Sequence, residues 1–267
     1  MKTIHEILEE FLQNKDLSKT HLVLDSTGPS LTKHYLALDA IGDERLSQFK
    51  RIHTFSGGTF AYFGYKAAKI NQCRYPMNEY YKNLDRTMRK NHSGRVPILP
   101  QVLRYARQKK FYKSLQPMEE TIRYVFSESD LSAKLSEIDS NFSAYMGSNK
   151  HFHEVSSSNP IEGVETVFDL IKYSVNIPFM YGGDHPYHDP AFHRGYRRKL
   201  KEIAHNSENA LVITPWRSGI KNNTLFLNPF LPAKQKWVMS RDIICLLANI
   251  PNPSYARDLR AIFSAEE

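Results

Sequence analysis

Apolar positions along the chain change rhythm several times, and each change marks an element. Ile4, Ile7, Leu8, Phe11 and Leu12 recur at helical spacing, and Thr3 with Glu6 has the spacing of a capping box, so an amphipathic helix is expected over residues 3–13. The run His21-Leu22-Val23-Leu24-Asp25 is short, apolar and flanked by polar residues, which predicts a strand. Ser26-Thr27-Gly28-Pro29-Ser30 follows as a small-residue loop, and Tyr35, Leu36, Leu38 and Ile41 as a helix face. The same order then repeats. Arg51 to Phe55 reads as a strand, Ser56-Gly57-Gly58-Thr59 as a tight turn, and the segment through Lys66, Ala67, Ala68 and Ile70 as a helix. Two consecutive strand–loop–helix units predict a parallel sheet whose loops open at one edge.

Further along, residues 142–146 and 151–155 alternate like a hairpin around a turn at Gly147 to Lys150. Residues 156–160 read as a polar linker, and Val164, Val167, Phe168, Ile171 and Val175 as a helix face. Tyr196, Leu200 and Ile203 suggest a basic helix, residues 210–215 a buried strand, and residues 237–249 and 253–264 closing helices. The expected fold is a single α/β domain over residues 1–267, a three-layer sandwich with a mostly parallel central sheet.

One stretch differs in character. Residues 74–126 carry many cations, Arg104, Arg107, Lys109 and Lys110 among them, interleaved with tyrosine and phenylalanine, and Pro97 and Pro100 divide the stretch into helical pieces. It reads as a basic helical insertion or cap at about residues 74–135. The whole chain has a net charge of +8, which favours anionic partners. Basic and aromatic interleaving suits nucleic acid and lipid headgroups alike; a solvated helical face is the plain reading. An anionic membrane surface is the preferred partner and nucleic acid the disfavoured one, because of the chemistry below.

Composition narrows the class further. Hydrophobic residues at 41% and charged residues at 24% give a globular balance rather than a disordered one. Cys73 and Cys245 lie far apart without metal-ligand spacing, which points to a reducing compartment. The acidic residues of the N-terminal segment do not resemble a secretory signal, and no apolar run is long enough for a membrane span; a cytoplasmic or peripheral membrane location is expected.

The candidate chemistry centres on Ser56. A serine on a sharp turn between a strand and a helix projects its hydroxyl at the edge of a sheet, and small neighbours let backbone and substrate approach; this is the layout of a nucleophile elbow. A G-x-S-x-G elbow would have glycine where Thr54 stands. The Gly28 loop, ahead of a helix, can present backbone N–H groups to an anion or a developing oxyanion. The turn-rich segment Met180 to Phe192 supplies two carboxylates, Asp184 and Asp189, and three histidines lie in or beside it, His185, His188 and His193. A Ser–His–Asp triad drawn from this region is chemically reasonable. His151, His153 and Glu154 share the hairpin without a third evident ligand, and no metal is assigned to them.

The strand Leu22-Val23-Leu24, the loop Asp25 to Ser30, the helix of Leu36, Leu38 and Ile41, and the elbow Ile52 to Thr59 resemble the N-terminal half of a patatin-like phospholipase. Ser174-Val175-Asn176-Ile177-Pro178-Phe179 resembles the helix end that precedes that family's aspartate, and the helix and strand at 196–215 follow its layout. The resemblance covers roughly residues 20–72 and 165–217. It implies a Ser–Asp dyad: Ser56 as nucleophile, Asp189 as base with Asp184 the competing placement, and an oxyanion hole near Thr27, Gly28 and Gly57. It further implies a lipid acyl ester as substrate, with no metal or organic cofactor. Where the family has a glycine triplet and a basic residue, this chain has Ser26, Thr27, Gly28 and Ser30; Pro190 and Ala191 stand where it has a small pair. Two other readings use the same residues: an acyltransferase or thioesterase, or a catalytically inactive protein binding anionic lipid or nucleic acid.

Overall fold

The computed structural model describes residues 4–27, 32–70, 116–177, 185–214 and 219–227. Its frame is a seven-stranded sheet built on the two apolar runs identified above. Strand β1 (Thr20–Leu24) pairs in parallel with β2 (Arg51–Phe55), Leu24 lying opposite Thr54. Strand β3 (Phe142–Gly147) adds in parallel beyond β2, and β4 (Phe152–Val155) turns back antiparallel on β3 at that end. On the other flank β5 (Asn209–Ile213) pairs in parallel with β1. A terminal hairpin of β6 (Gly219–Lys221) and β7 (Thr224–Leu227) completes the sheet, with β7 parallel to β5. The order is β4-β3-β2-β1-β5-β7-β6. Successive parallel strands are added outward to one side of β1 and then to the other, so the order reverses between β1 and β5, where open α/β sheets form a crevice at their C-terminal edge.

Alternation along the strands divides the core in two. Leu22, Leu24, Ile52, Ala144, Leu211 and Ile213 belong to the larger cluster, with helices α1 (Ile4–Asn14), α2 (Thr32–Ile41) and α4 (Gly57–Ile70); a short α3 (Asp43–Gln48) lies between the last two. Val23, Phe55, Tyr145, Ala210 and Val212 point to the opposite face and form the smaller cluster. Tyr196 and Ile203, on the helix Tyr196–Asn206, join that smaller cluster, so helices cover both faces of a mostly parallel sheet, as expected of an α/β fold.

The described end of the basic stretch is part of the domain core. Helices α5 (Gln116–Val125) and α6 (Glu128–Ser132) and a 3₁₀ turn at Leu135–Glu137 bring Met118, Ile122, Phe126, Leu131 and Leu135 into the larger cluster. Residues 71–115, with Arg104, Arg107, Lys109 and Lys110, and residues 228–267, where two closing helices are expected from the sequence, lie outside the described residues.

Two expectations change. Residues 156–160 are a tight turn rather than a linker, because Ser156 and Asn159 exchange backbone hydrogen bonds in both directions. Val164 precedes its helix: α7 (Val167–Ser174) begins only at Thr166, whose hydroxyl accepts from the Asp169 backbone N–H while the Asp169 carboxylate accepts from the backbone N–H of Thr166. That capping box satisfies two end groups at once, and it sets the boundary that apolar spacing misses.

The step from β2 into α4 depends on one glycine. A Cβ on Gly58 would lie 2.3 Å from the carbonyl oxygen of Leu24, a backbone atom held in the sheet. Gly58→Ala is expected to lower stability by about 1–3 kcal/mol or more, since the clash can be relieved only by moving α4 off the end of β1. A shift in the denaturant midpoint at constant slope would measure it; an unchanged midpoint would refute the close approach.

Candidate active site

At its C-terminal edge the sheet presents Asp25 after β1, Ser56 after β2 and Thr214 after β5. Ser56 takes the left-handed conformation, φ 52°, between the last residue of β2 and the first of α4. A serine there is strained, and the surrounding strand and helix hold it in place. Its side chain is buried, and the amides of Gly57 and Gly58 begin a helix, where no intrahelical acceptor is available to them.

Thr54, in the position an elbow would give to glycine, directs its hydroxyl into the helix layer. Its Oγ1 is 3.0 Å from Thr59 Oγ1, and Ser174 Oγ on α7 donates to the same Thr59 oxygen at 2.7 Å. All three residues are buried. The departure from the glycine pattern is thus absorbed by a polar chain on the side of β2 that faces α4 and α7, and the turn itself is preserved.

Ser56 Oγ donates directly to Asp189 Oδ2 at 2.5 Å, across 133 residues of chain. Several contacts aim that carboxylate. His188, its neighbour, exchanges backbone hydrogen bonds with Gly147 at the end of β3, at 2.8 and 2.9 Å. The Asp189 N–H donates to the Asn176 carbonyl at 2.8 Å, while Asn176 Nδ2 donates to the Tyr187 carbonyl, also at 2.8 Å. The other carboxylate oxygen, Oδ1, accepts from the Ala191 N–H at 2.9 Å, with Pro190 opening the 3₁₀ turn Pro190–Phe192. The substituted pair Pro190-Ala191 therefore still provides a backbone donor to the acid. Burial pushes the Asp189 carboxyl up to about 7, against the lowering effect of the bonds from Ser56 and Ala191. At neutral pH it is divided between an ionised acceptor and a neutral acid.

Among the described residues no imidazole stands between serine and carboxylate. His188 Nδ1 donates to the Asp189 backbone carbonyl at 3.0 Å, and His193 Nδ1 accepts from the Gly195 N–H at 3.0 Å. His185 packs its ring near Tyr173. His53, within the elbow sequence, faces the smaller core cluster, bonded to His21 and to Tyr145 OH, each at 2.8 Å. His153 bonds Ser148 Oγ at 3.0 Å and stacks edge-on with Tyr187.

Of the expected oxyanion residues, Thr27 is wholly buried and its hydroxyl has no hydrogen-bond partner among the described residues; Gly57 opens α4 beside Ser56; Gly28 lies outside the described residues, as does Asp184. Asp25 begins the loop that leads to Gly28, and its side chain is fully engaged. Oδ1 accepts from the Ser26 N–H at 2.8 Å and from the Tyr196 hydroxyl, and Oδ2 accepts from Thr214 Oγ1 at 2.6 Å. His34, on α2, donates from Nε2 to the Asp25 carbonyl at 2.7 Å; burial pushes its imidazole down to about 4, so it is neutral.

Sequence reasoning passed over Asn176 and Tyr196. Asn176 lies in the segment quoted for the helix end, but nothing local distinguishes a buried asparagine that brackets a loop. Tyr196 was assigned to an apolar helix face, which its ring does occupy; its hydroxyl partner is 171 residues away. Comparison with the models of known protein families finds no match for this chain, and comparison with curated proteins finds none either.

Proposed function

We propose that the protein is a serine acyl hydrolase acting on carboxylic esters of lipids, with Ser56 as nucleophile and Asp189 as its base. The observation that carries this reading is the direct Ser56–Asp189 hydrogen bond, made by a strained serine at a strand-to-helix turn to a buried carboxyl with an affinity for protons near neutrality. A structural hydrogen bond would need neither the strain nor a buried carboxyl so arranged.

In the proposed reaction Ser56 Oγ attacks the ester carbonyl carbon while its proton passes to Asp189 Oδ2. The tetrahedral oxyanion is held by backbone N–H groups at the start of α4 and from the loop that follows Asp25. Collapse breaks the bond to the alcohol, which takes the proton from Asp189 and leaves an acyl-serine. Water then attacks the acyl carbon, gives a proton to Asp189, and the acid is released as Ser56 recovers that proton. The residues that do this chemistry need no metal. The divergent patatin-like layout suggests a lysophospholipid or phospholipid as substrate, met at an anionic surface. A cationic face supports such contact: Arg194, Arg197, Arg198 and Lys201 are exposed on and before helix α8 (Tyr196–Asn206), which starts beside the Asp189 turn. Among the described residues no helix is long and apolar enough to cross a membrane.

Supplying p-nitrophenyl esters, lysophospholipid, phospholipid and acyl-thioesters side by side tests the assignment. Ester turnover with release of free acid is expected. Preference for the thioester, or transfer of the acyl group to an added alcohol in place of water, would move the assignment to a thioesterase or acyltransferase using the same serine. Turnover of none of them would leave a binding protein.

A further inference from the structure

Asp25 and Tyr196 take no part in the proton transfers above, yet they connect the three pieces of chain that the proposed reaction must hold together. All the polar atoms of Asp25 are bonded. Its N–H donates to the Ile213 carbonyl on β5 at 3.0 Å, its carbonyl accepts from His34, and its carboxylate accepts from Ser26, Thr214 and Tyr196. Tyr196 approaches from the opposite direction in the chain. It lies seven positions after Asp189, its N–H donates to the His193 carbonyl at 3.1 Å, and its ring meets Phe55, the residue before Ser56, edge-on with centroids 5.5 Å apart. Both side chains are buried.

Resting on the proposed acyl-hydrolase reading, we infer that Tyr196 is a positioning residue whose hydroxyl, by anchoring Asp25, holds Ser26 and Thr27, where the proposed oxyanion loop begins, in register with the nucleophile turn and the Asp189 turn. The geometry separates two duties of this side chain. The ring packs on Phe55 and supports the fold; the hydroxyl alone reaches Asp25. In a buried setting the loss of one donor to a carboxylate lets its remaining bonds shift, and displacements well under an ångström to about one ångström at oxyanion donors slow reaction far more than they weaken substrate binding.

Tyr196→Phe keeps the ring and removes the hydroxyl. Three readouts are taken on the full chain: the rate of covalent labelling by a fluorophosphonate, kcat and KM on a soluble p-nitrophenyl ester, and hydrogen exchange of the Ser26 amide against those of β2. The expected result is a fall of roughly 10- to 100-fold in labelling rate and kcat with KM changed by less than about threefold. Exchange at Ser26 is expected to rise by about tenfold while β2 is unchanged. Asp25→Asn, which keeps the shape but alters the acceptor pattern, is expected to act in the same direction and serves if Tyr196→Phe does not fold. Labelling at the wild-type rate, or a rate loss with Ser26 exchange unchanged, overturns the inference. A wild-type chain that takes up no probe overturns the acyl-hydrolase reading instead, and Ser26 exchange in Tyr196→Phe then decides alone whether the hydroxyl anchors the loop.

Discussion

Ser56→Ala is expected to abolish labelling by a fluorophosphonate probe and to reduce ester turnover by at least about 10⁴-fold. The size of the effect follows from the absence of a substitute: the proposed acyl-enzyme forms on Oγ, and the neighbouring Thr54 and Thr59 hydroxyls are committed to each other inside the helix layer. The fold should survive, because alanine at φ 52° is no more strained than serine and the site already accepts that conformation. Ser56→Gly makes a useful companion. It should be equally inactive but more stable by about 1 kcal/mol, since glycine enters the left-handed region without the Cβ clash. Retained labelling in Ser56→Ala would place the nucleophile elsewhere; equal stability of the glycine and alanine variants would argue that the turn stores no strain.

Asp189→Asn is expected to cost about 10⁴-fold in kcat/KM, and in the wild type kcat/KM should rise with pH to a plateau above about 7, where the carboxyl pushed up to about 7 is ionised. The corresponding effect on stability has the opposite sign. An acid whose proton affinity is higher in the folded chain than in the unfolded one holds more protons when folded, so the folded state loses stability as pH rises from about 4 through about 7. The loss is on the order of a few kcal/mol for so buried a group. Asparagine keeps the acceptor for the Ala191 N–H and removes the charge. The variant should therefore be inactive yet more stable than the wild type above pH 7, and the two stabilities should converge below about pH 5. Denaturation at pH 5 and pH 8 checks this, and a wild-type protein equally stable at both would contradict a buried, elevated carboxyl at this position.

Much of the fold was legible because it is written in local patterns. The two strand–loop–helix units carry short apolar runs bounded by small residues, and they became β1–α2 and β2–α4 with Asp25 and Ser56 at one edge. The β6–β7 hairpin was not anticipated: its strands are three and four residues long, too short for a period to register, and β7 gains its place by pairing with β5. Residues 116–135 were expected to belong to an insertion on the strength of charge. On α5 Glu119 pairs with Lys172 and Arg123 lies over the Phe168 ring, both on α7, while Met118 and Ile122 on the helix and Phe126 just after it are core. Composition averages over both faces of a helix, so it could not reveal which one carries the packing.

By itself the sequence determined the order of the parts: a strand ending near Asp25, a serine on a small-residue turn, and a late loop with two carboxylates. Turn chemistry and apolar period are properties of neighbouring residues and act wherever the segment lies, whereas the steric need for glycine at Gly58 comes from the Leu24 carbonyl on the adjacent strand. Which carboxylate meets the serine, whether an imidazole comes between them, and what anchors the loop at Asp25 belong to tertiary structure alone. They are settled by contacts between residues 133 and 171 positions apart, whose geometry comes from the sheet register and from the pairing of His188 with Gly147. The high proton affinity of Asp189 has the same origin, because burial exists only once the sheet, the Asn176 segment and the Pro190 turn have closed around it.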